Sequence, residues 1–401
     1  MAYASKADLE LWALGEPEAL GFAHLPGAAT DPHAAIPLRQ SYRDTLLLPH
    51  LTDAVRRLNP HLPDDAVQTA VNALRDTVFF DDPMQENRRI HEALVGGVKV
   101  TWVENGEERA GLARLIDWDN TQNDWRAVSQ FEVAGKSLRR PDIVLFLNGL
   151  PVVVIELKGT ESGTLKGAFN QIETYKSQIP DLFRTNAFSV ISEGVTARYG
   201  SLSADLDRFM RWRTIDGNKV IGDTSALALQ VLMRGLLTPT NLLEMIRWFT
   251  VFEDEGNGPV KKIAGYHQFH AVRKGVAAVF AARGRDGRGG VMWHTQGSGK
   301  SLLMAFLGGR LMRDPALTNP TLVIITDRND LDNQLFATFL ALRRPVRGEA
   351  GAGRGHRRSQ TPAGAQSGRR DLCHHPEIPP RQGAGRFRPA HRPQQRYRLR
   401  R

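Results

Sequence analysis

The sequence predicts an α/β protein of two unlike parts, followed by a basic tail without a core. Three observations carry this. Between residues 126 and 158, short β-branched runs (AVSQFEVA, PDIVLFLNG and LPVVVIELK) are broken by turn residues, the pattern of closely paired strands. Between 255 and 340, strand-like and helix-like stretches alternate, which predicts a parallel sheet with helical crossovers. After about 340 all periodicity stops. The chain turns to Arg, Gly, Pro, Ala and Gln with few large apolar residues, a composition that cannot bury a core.

A length of 401 residues allows two or three domains. One cysteine excludes an internal disulfide and fits a reducing compartment, so a cytoplasmic location is expected. The opening stretch MAYASKADLELWALGEPEALG lacks the apolar segment of a signal peptide, and no membrane-spanning run occurs. The net charge of +10 invites a nucleic-acid reading, but it is unevenly placed. Residues 341–401 hold 16 Arg, no Lys and 3 acids, a balance of +13, which leaves the first 340 at −3. Any DNA contact in the first 340 residues must therefore come from local patches.

In chain order, residues 1–125 read as mixed helix and strand. LTDAVRRLNPHLPDDAVQTAVNALRDTVF is two helical stretches around a Pro-marked turn, and VKVTWV is a strand. The strongly β region 126–158 is followed by a helix at roughly 163–179 and a strand, AFSVISEG. Residues 205–250 are helix-rich. Then VMWHT reads as a strand, KSLLMAFLGGRLM as a helix, TLVIIT as a strand and NDLDNQLFATFLA as a helix. Boundaries fall near 235, 260 and 340.

The first chemical constellation is RRPDIVLFLNGLPVVVIELKG. Asp142 opens one strand; Glu156 and Lys158, two apart on the next, share a face. Asn148-Gly149 is a hairpin turn signal. A two-residue loop sends Asp142 and Glu156 to opposite faces. A three-residue loop, 148–150, pairs them directly, and that register is expected here. Two carboxylates about 5 Å apart repel unless a divalent cation lies between them. Mg2+ favours such oxygens together with waters, and there it activates a bound water and clamps a phosphodiester oxygen. Lys158 is placed to orient that water or to stabilise developing charge. The bland alternative is a core strand ending in solvated charges. On the helix that follows, Gln171 and Tyr175 lie one turn apart on one face. Glu10, on the first helix, reads as a solvated acid in preference to a further metal ligand.

The second constellation is VMWHTQGSGKSLLM. Gly297, Gly299, Lys300 and Ser301 lie between an expected strand and helix, the context a nucleotide loop needs. Glycines let backbone N–H groups approach phosphate oxygens, and the helix N-terminus adds its dipole. Lys300 is expected at the β/γ-phosphates and Ser301 at a Mg2+. The first glycine of the general pattern falls on His294, so the strict pattern fails. Gln268, some 30 residues upstream in AGYHQFHAV, has an amide able to read adenine. Downstream, a strand is expected to end at Thr326, followed by Asp327 and Arg328; the position resembles one that contacts nucleic-acid backbone in helicase-like motors, with a solvated Asp–Arg pair as the rival.

PDIVLFLNGLPVVVIELKG, HQFHAV, WHTQGSGKS and TDRNDLDNQLF occur in an order and spacing that resembles the R (restriction) subunit of type I restriction–modification enzymes, over residues 1 to about 340. The resemblance implies a PD-(D/E)xK endonuclease domain at 1–235, a mixed sheet flanked by helices. A helical connector at 236–260 and an incomplete RecA-like translocase domain at 261–340 follow. It implies Mg2+ at Asp142 and Glu156, with Lys158, Gln171 and Tyr175 supporting DNA cleavage. ATP is implied at Gln268, Gly297, Gly299, Lys300 and Ser301. The implied partners are double-stranded DNA and the modification and specificity subunits, which supply site recognition. One departure stands out. The family continues to an Asp-Glu-Ala-His box; none follows residue 340, and Glu253-Asp254-Glu255 precedes the loop. The chain is therefore expected to be truncated and to neither hydrolyse ATP nor translocate.

The tail has a test in the genetic code. Read one nucleotide later, the degenerate codons of GRRDLCHHPEIP permit G-G-V-I-F-A-T-I-Q-K-F, and those of PQQRYR permit R-N-N-V-I-V. Both resemble family segments that lead to the missing box. A frameshift near residues 340–346 is expected, with 341–401 a disordered tail out of frame. Cys373, His374 and His375 then bind nothing specific, the more so because a fourth ligand is lacking. The alternative is a non-enzymatic remnant whose charge of +13 gives salt-sensitive, non-specific DNA affinity.

Overall fold

The β-branched runs of 126–158 become the middle of a six-stranded mixed sheet. The structure, a computed structural model, describes residues 5–79, 81–159, 164–222, 228–256, 258–325, 371–372 and 396–400. They fall into two units, one up to residue 267 and one from 268 onward.

The first unit runs, in chain order, through α1 (Lys6–Ala19), β1 (Ala23–Pro26), α2 (Leu48–Leu58), α3 (Asp64–Arg75) and α4 (Pro83–Gly96). A hairpin of β2 (Val98–Glu104) and β3 (Glu107–Ala113) leads to β4 (Trp125–Ser129) and the short pair β5 (Val133–Ala134) and β6 (Leu138–Arg139). Then come β7 (Ile143–Leu147), β8 (Leu150–Leu157), α5 (Leu165–Gln178), β9 (Phe188–Ser192) and β10 (Ala197–Gly200). Helices α6 (Ala228–Leu236) and α7 (Pro239–Trp248) and a hairpin of β11 (Thr250–Glu255) and β12 (Gly258–Ile263) complete it.

The main sheet has the order β1-β4-β7-β8-β9-β10. β8 and β9 are parallel and α5 is the crossover between them, a βαβ unit inside an otherwise largely antiparallel sheet. Every residue of β7 and β8 is buried, so both faces are covered, which accounts for their continuous apolar runs. On the α5 side, Ala168, Ile172 and Tyr175 pack with Val144, Phe146, Val154 and Ile191. Asp142 and Glu156 continue this face at the strand ends.

The hairpin corrects the expected register argument. The loop is two residues, with Asn148 and Gly149 both at positive φ (52° and 79°), and Leu147 pairs with Leu150. The ladder then shifts between Phe146, opposite Pro151, and Leu145, opposite Val153, so Val152 is the extra residue of a bulge. Pro151 has no N–H for the ladder, which favours the irregularity there. The bulge undoes the flip that a two-residue loop imposes. Ile143 pairs with Ile155, and the same register carried one step on sets Asp142 opposite Glu156.

The second unit contains α8 (Tyr266–Ala282), α9 (Lys300–Met312) and β13 (Thr321–Ile325), flanked in parallel by β14 (Asp371–Leu372) and β15 (Arg396–Arg400). Helix α9 covers the stretch read as helical. The expected strand VMWHT is not a strand: 290–295 is irregular, with Val291 95% and Trp293 82% exposed. β-branched content does not make a strand without a ladder partner, and among the described residues β13 pairs with β14 and β15 instead. Both lie within the stretch 341–401, whose other residues are outside the described ones. Backbone N–H and C=O groups on both edges of β13 can be paired whatever side chains the pairing segments carry. Thr326, Asp327, Arg328, Cys373, His374 and His375 lie outside the described residues.

Candidate active site

Four elements converge on the end of β8. Ser5 caps α1 by accepting from the Asp8 N–H at 3.2 Å while donating to Asp8 Oδ2 at 2.8 Å, which fixes the first turn that carries Lys6 and Glu10. β7 begins after Asp142, β8 carries Glu156 and ends just before Lys158, and α5, capped by Thr164, carries Gln171 and Tyr175. Lys6, Glu10, Asp142, Glu156, Lys158, Gln171 and Tyr175 line one open cleft of about 550 Å³, with Gln130, Leu138, Arg139 and Arg140 on its walls.

The two carboxylates are almost wholly buried, Asp142 at 4% and Glu156 at 1% exposure. Each oxygen has a partner. Asp142 Oδ2 accepts from the Leu157 N–H at 2.7 Å, and Oδ1 accepts from Lys6 Nζ at 2.8 Å. Glu156 Oε1 accepts from Lys158 Nζ at 2.7 Å, and Oε2 from the Tyr175 hydroxyl at 3.0 Å. Gln171, one turn earlier on α5, lines the same cleft. Lys6 Nζ also lies 3.1 Å from Glu10 Oε1, and Gln130 Nε2 donates to Glu10 Oε2 at 2.8 Å.

Burial, and then the charge of Asp142, push the Glu156 carboxyl up to about 7 in spite of Lys158. Burial and the neighbouring carboxylates drive the Tyr175 hydroxyl upward as well, so it stays a hydrogen-bond donor. For Lys6, burial acts to lower the pKa, but the hydrogen bond and charge of Asp142, with Glu156 and Glu10, override it and hold the ammonium above its ordinary value.

The structure thus brings together Asp142, Glu156, Lys158, Gln171 and Tyr175, as the sequence spacing suggested. It also corrects the reading of Glu10, which lines the cleft instead of standing in solvent. The sequence reading passed over Lys6, Gln130, Arg139 and Arg140. The signals for three of them were faint: Lys6 and Glu10 lie i, i+4 on α1, and Arg139-Arg140 immediately precede Pro141-Asp142. Among the described residues no three His, Cys, Asp or Glu side chains form a ready-made metal cage. The donor set nevertheless fits a hard cation. Two buried carboxylates share a niche already compensated by two ammonium groups, and Mg2+ commonly takes one or two carboxylates and keeps waters.

In the second unit, Gly297 and Gly299 sit at φ 77° and 75° in the turn before α9, with Gly299 as its N-cap. Both are conformations that suit glycine. Lys300 Nζ donates to the carbonyls of His294 (2.6 Å) and Thr295 (2.9 Å). Ser301 is the second residue of α9. The buried Gln268 donates its amide to Gly299 O at 3.1 Å, so the two separate sequence features share one locus.

Comparison with known proteins finds matches for both parts of the chain. Residues 12–208 match the family described as type I restriction enzyme R protein N terminus, and residues 267–358 match the SWI2/SNF2 ATPase family. The chain is 42% identical over 341 residues to the type I restriction enzyme HindI endonuclease subunit of Haemophilus influenzae, an alignment covering 83% of this chain and 32% of that protein. The chain belongs to the type I restriction enzyme R protein family and carries its N-terminal region. A putative type I restriction enzyme MjaIXP endonuclease subunit of Methanocaldococcus jannaschii is 31% identical over 348 residues, 80% of this chain and 32% of that protein. This R-protein chain therefore spans about a third of the length of these relatives. Among its described residues no helix is long and apolar enough to cross a membrane.

Proposed function

We propose that the first unit is a PD-(D/E)xK endonuclease domain that cleaves double-stranded DNA with Mg2+ held by Asp142 and Glu156. The observation that carries the reading is the convergence of Asp142, Glu156, Lys158 and Tyr175 in one cleft, with every carboxylate oxygen oriented. Mg2+, when bound, supplies a Lewis acid for the phosphate and an activated water. The chain's own groups do the rest. The Leu157 N–H and the Tyr175 hydroxyl hold the two carboxylates in fixed orientations, so little reorganisation is needed at the reacting phosphate. Lys158, 26% exposed at the end of β8, keeps its ammonium at the cleft, where a phosphate or an attacking water is met. Arg139 and Arg140 on the cleft wall suit the DNA backbone.

In the second unit we assign ATP binding to the turn with Gly297, Gly299, Lys300 and Ser301, with Gln268 for the base; the SWI2/SNF2 match supports this, and the family role is ATP-driven translocation. Modification and specificity subunits are the partners this reading assigns. The shifted-codon pattern and the Arg-only basicity support residues 341–401 being read out of frame. Resequencing decides that point, and an intact frame encoding this tail in related strains sinks it.

The site has a direct test. Purified chain with Mg2+ should nick supercoiled plasmid DNA, and EDTA should abolish it. Glu156→Gln and Lys158→Ala should each slow nicking by about 100-fold or more. Nicking that survives either substitution, or an inactive wild-type chain, overturns the assignment.

A further inference from the structure

We propose that Lys6 is an internal counter-cation of the cleft, and that a divalent ion loads on Asp142 only by displacing it. The inference rests on the metal reading above and deepens it. Asp142 has two oxygens, and the structure commits both. Oδ2 is turned inward to the Leu157 N–H at 2.7 Å, a bond that fixes the carboxylate plane. Only Oδ1 faces the cleft, and Lys6 Nζ holds it at 2.8 Å while reaching Glu10 at 3.1 Å. Any ion that takes Asp142 from the cleft must use the oxygen Lys6 occupies.

The two lysines of the cleft differ in how they are held. Lys158 directly follows β8, next to the strand that carries its partner Glu156, and its backbone N–H donates to Ser192 O. Lys6 reaches in from the first turn of α1 on a long stem that is 39% exposed, to a partner 136 residues away. Its departure need not disturb the fold. Helix α1 is anchored elsewhere: Glu16 accepts from Arg234 and Gln230 of α6 at 2.7 and 2.6 Å, and Gln130 holds Glu10. Lys6 therefore keeps two buried carboxylates neutralised in the metal-free protein, and leaves by a change of side-chain conformation when an ion arrives. Its presence lowers the apparent metal affinity, since the ion must replace an existing charge-assisted hydrogen bond.

The test is Mn2+ binding to the full chain by titration calorimetry, without DNA. Wild-type chain should bind Mn2+ at a site that Asp142→Asn weakens. Lys6→Met and Lys6→Gln should both tighten binding by about tenfold or more. Arg140→Met removes a positive charge from the same cleft without touching a carboxylate oxygen of the pair, and should change affinity by only about twofold. Unchanged or weaker binding in both Lys6 variants, or equal tightening in Arg140→Met, overturns the displacement model while leaving the metal site intact. Mn2+ binding that is indifferent to Asp142→Asn refutes the metal reading itself, and this inference with it.

Discussion

Glu156→Gln should make the metal-free protein more stable, not less, by a margin that grows between about pH 4.5 and 7 and levels off above. The wild-type carboxyl is pushed up to about 7 by burial and by Asp142, against an ordinary value of 4.5. Between those two pH values the native protein holds a proton that the unfolded chain has released. Stability therefore falls as pH rises through that window and stays low above it. The full gap corresponds to about 3 kcal/mol at pH 8. That gap already includes the favourable pairing of the wild-type carboxylate with Lys158. The net expectation is a gain of about 1–3 kcal/mol for Glu156→Gln at pH 8, shrinking to within about 1 kcal/mol at pH 5. Gln keeps an oxygen to accept from Tyr175, so the comparison isolates charge from shape. Urea unfolding in EDTA at the two pH values measures it. A Gln variant that is no more stable than wild type at pH 8, or a gap that is the same at both pH values, refutes the reasoning. Adding Mg2+ should reverse the order, because only the wild-type carboxylate pair gains from the ion.

Three further outcomes follow from the geometry. Gly149→Ala places a Cβ 2.5 Å from Leu47 O and 2.7 Å from Leu51 N at a φ of +79°. It should lose about 2–4 kcal/mol by urea unfolding, and a loss under about 0.5 kcal/mol shows that the turn is looser than drawn. Lys261 is fully buried with Nζ donating to Asn87 Oδ1 (2.9 Å) and Asn186 O (2.6 Å), and burial pushes it down to about 7. Between about 7 and 10.5 the unfolded chain holds a proton the native one lacks, so stability rises with pH there. Lys261→Met should flatten that rise between pH 7.5 and 9.5, as about the range the linkage spans, and an unaltered slope counts against it. Lys300→Ala should weaken binding of a fluorescent ATP analogue by about tenfold or more, and equal affinity removes Lys300 from the phosphate site.

What the sequence made legible, and what it hid, divides along a physical line. Glu156 near the end of β8 and Lys158 just past it are two residues apart on one extended run, and Gln171 and Tyr175 lie one helix turn apart, so their shared faces follow from local periodicity alone. That Asp142 belongs with them depends on register, and here two features had opposing effects. Asn148-Gly149 forces the two-residue loop, which by itself separates the carboxylates; Pro151 and Val152 add the bulge that reunites them. The bulge was written in the sequence as a proline inside a β run, but a hairpin signal read alone does not reveal it. VMWHT shows the converse failure, since strand composition at 291–295 meets no pairing partner among the described residues. Lys6 marks the limit of local reading altogether. Its contact with Asp142 is created by packing α1 against the sheet end, where a Cβ on Gly159 would lie 3.4 Å from Lys6. A carboxylate pair recognised from its strand spacing therefore gives only the negative half of the site. The cations that balance it come from wherever the fold brings an ammonium within reach. In this chain one is supplied two residues further on, just past the end of the strand, and the other by the first turn of the first helix.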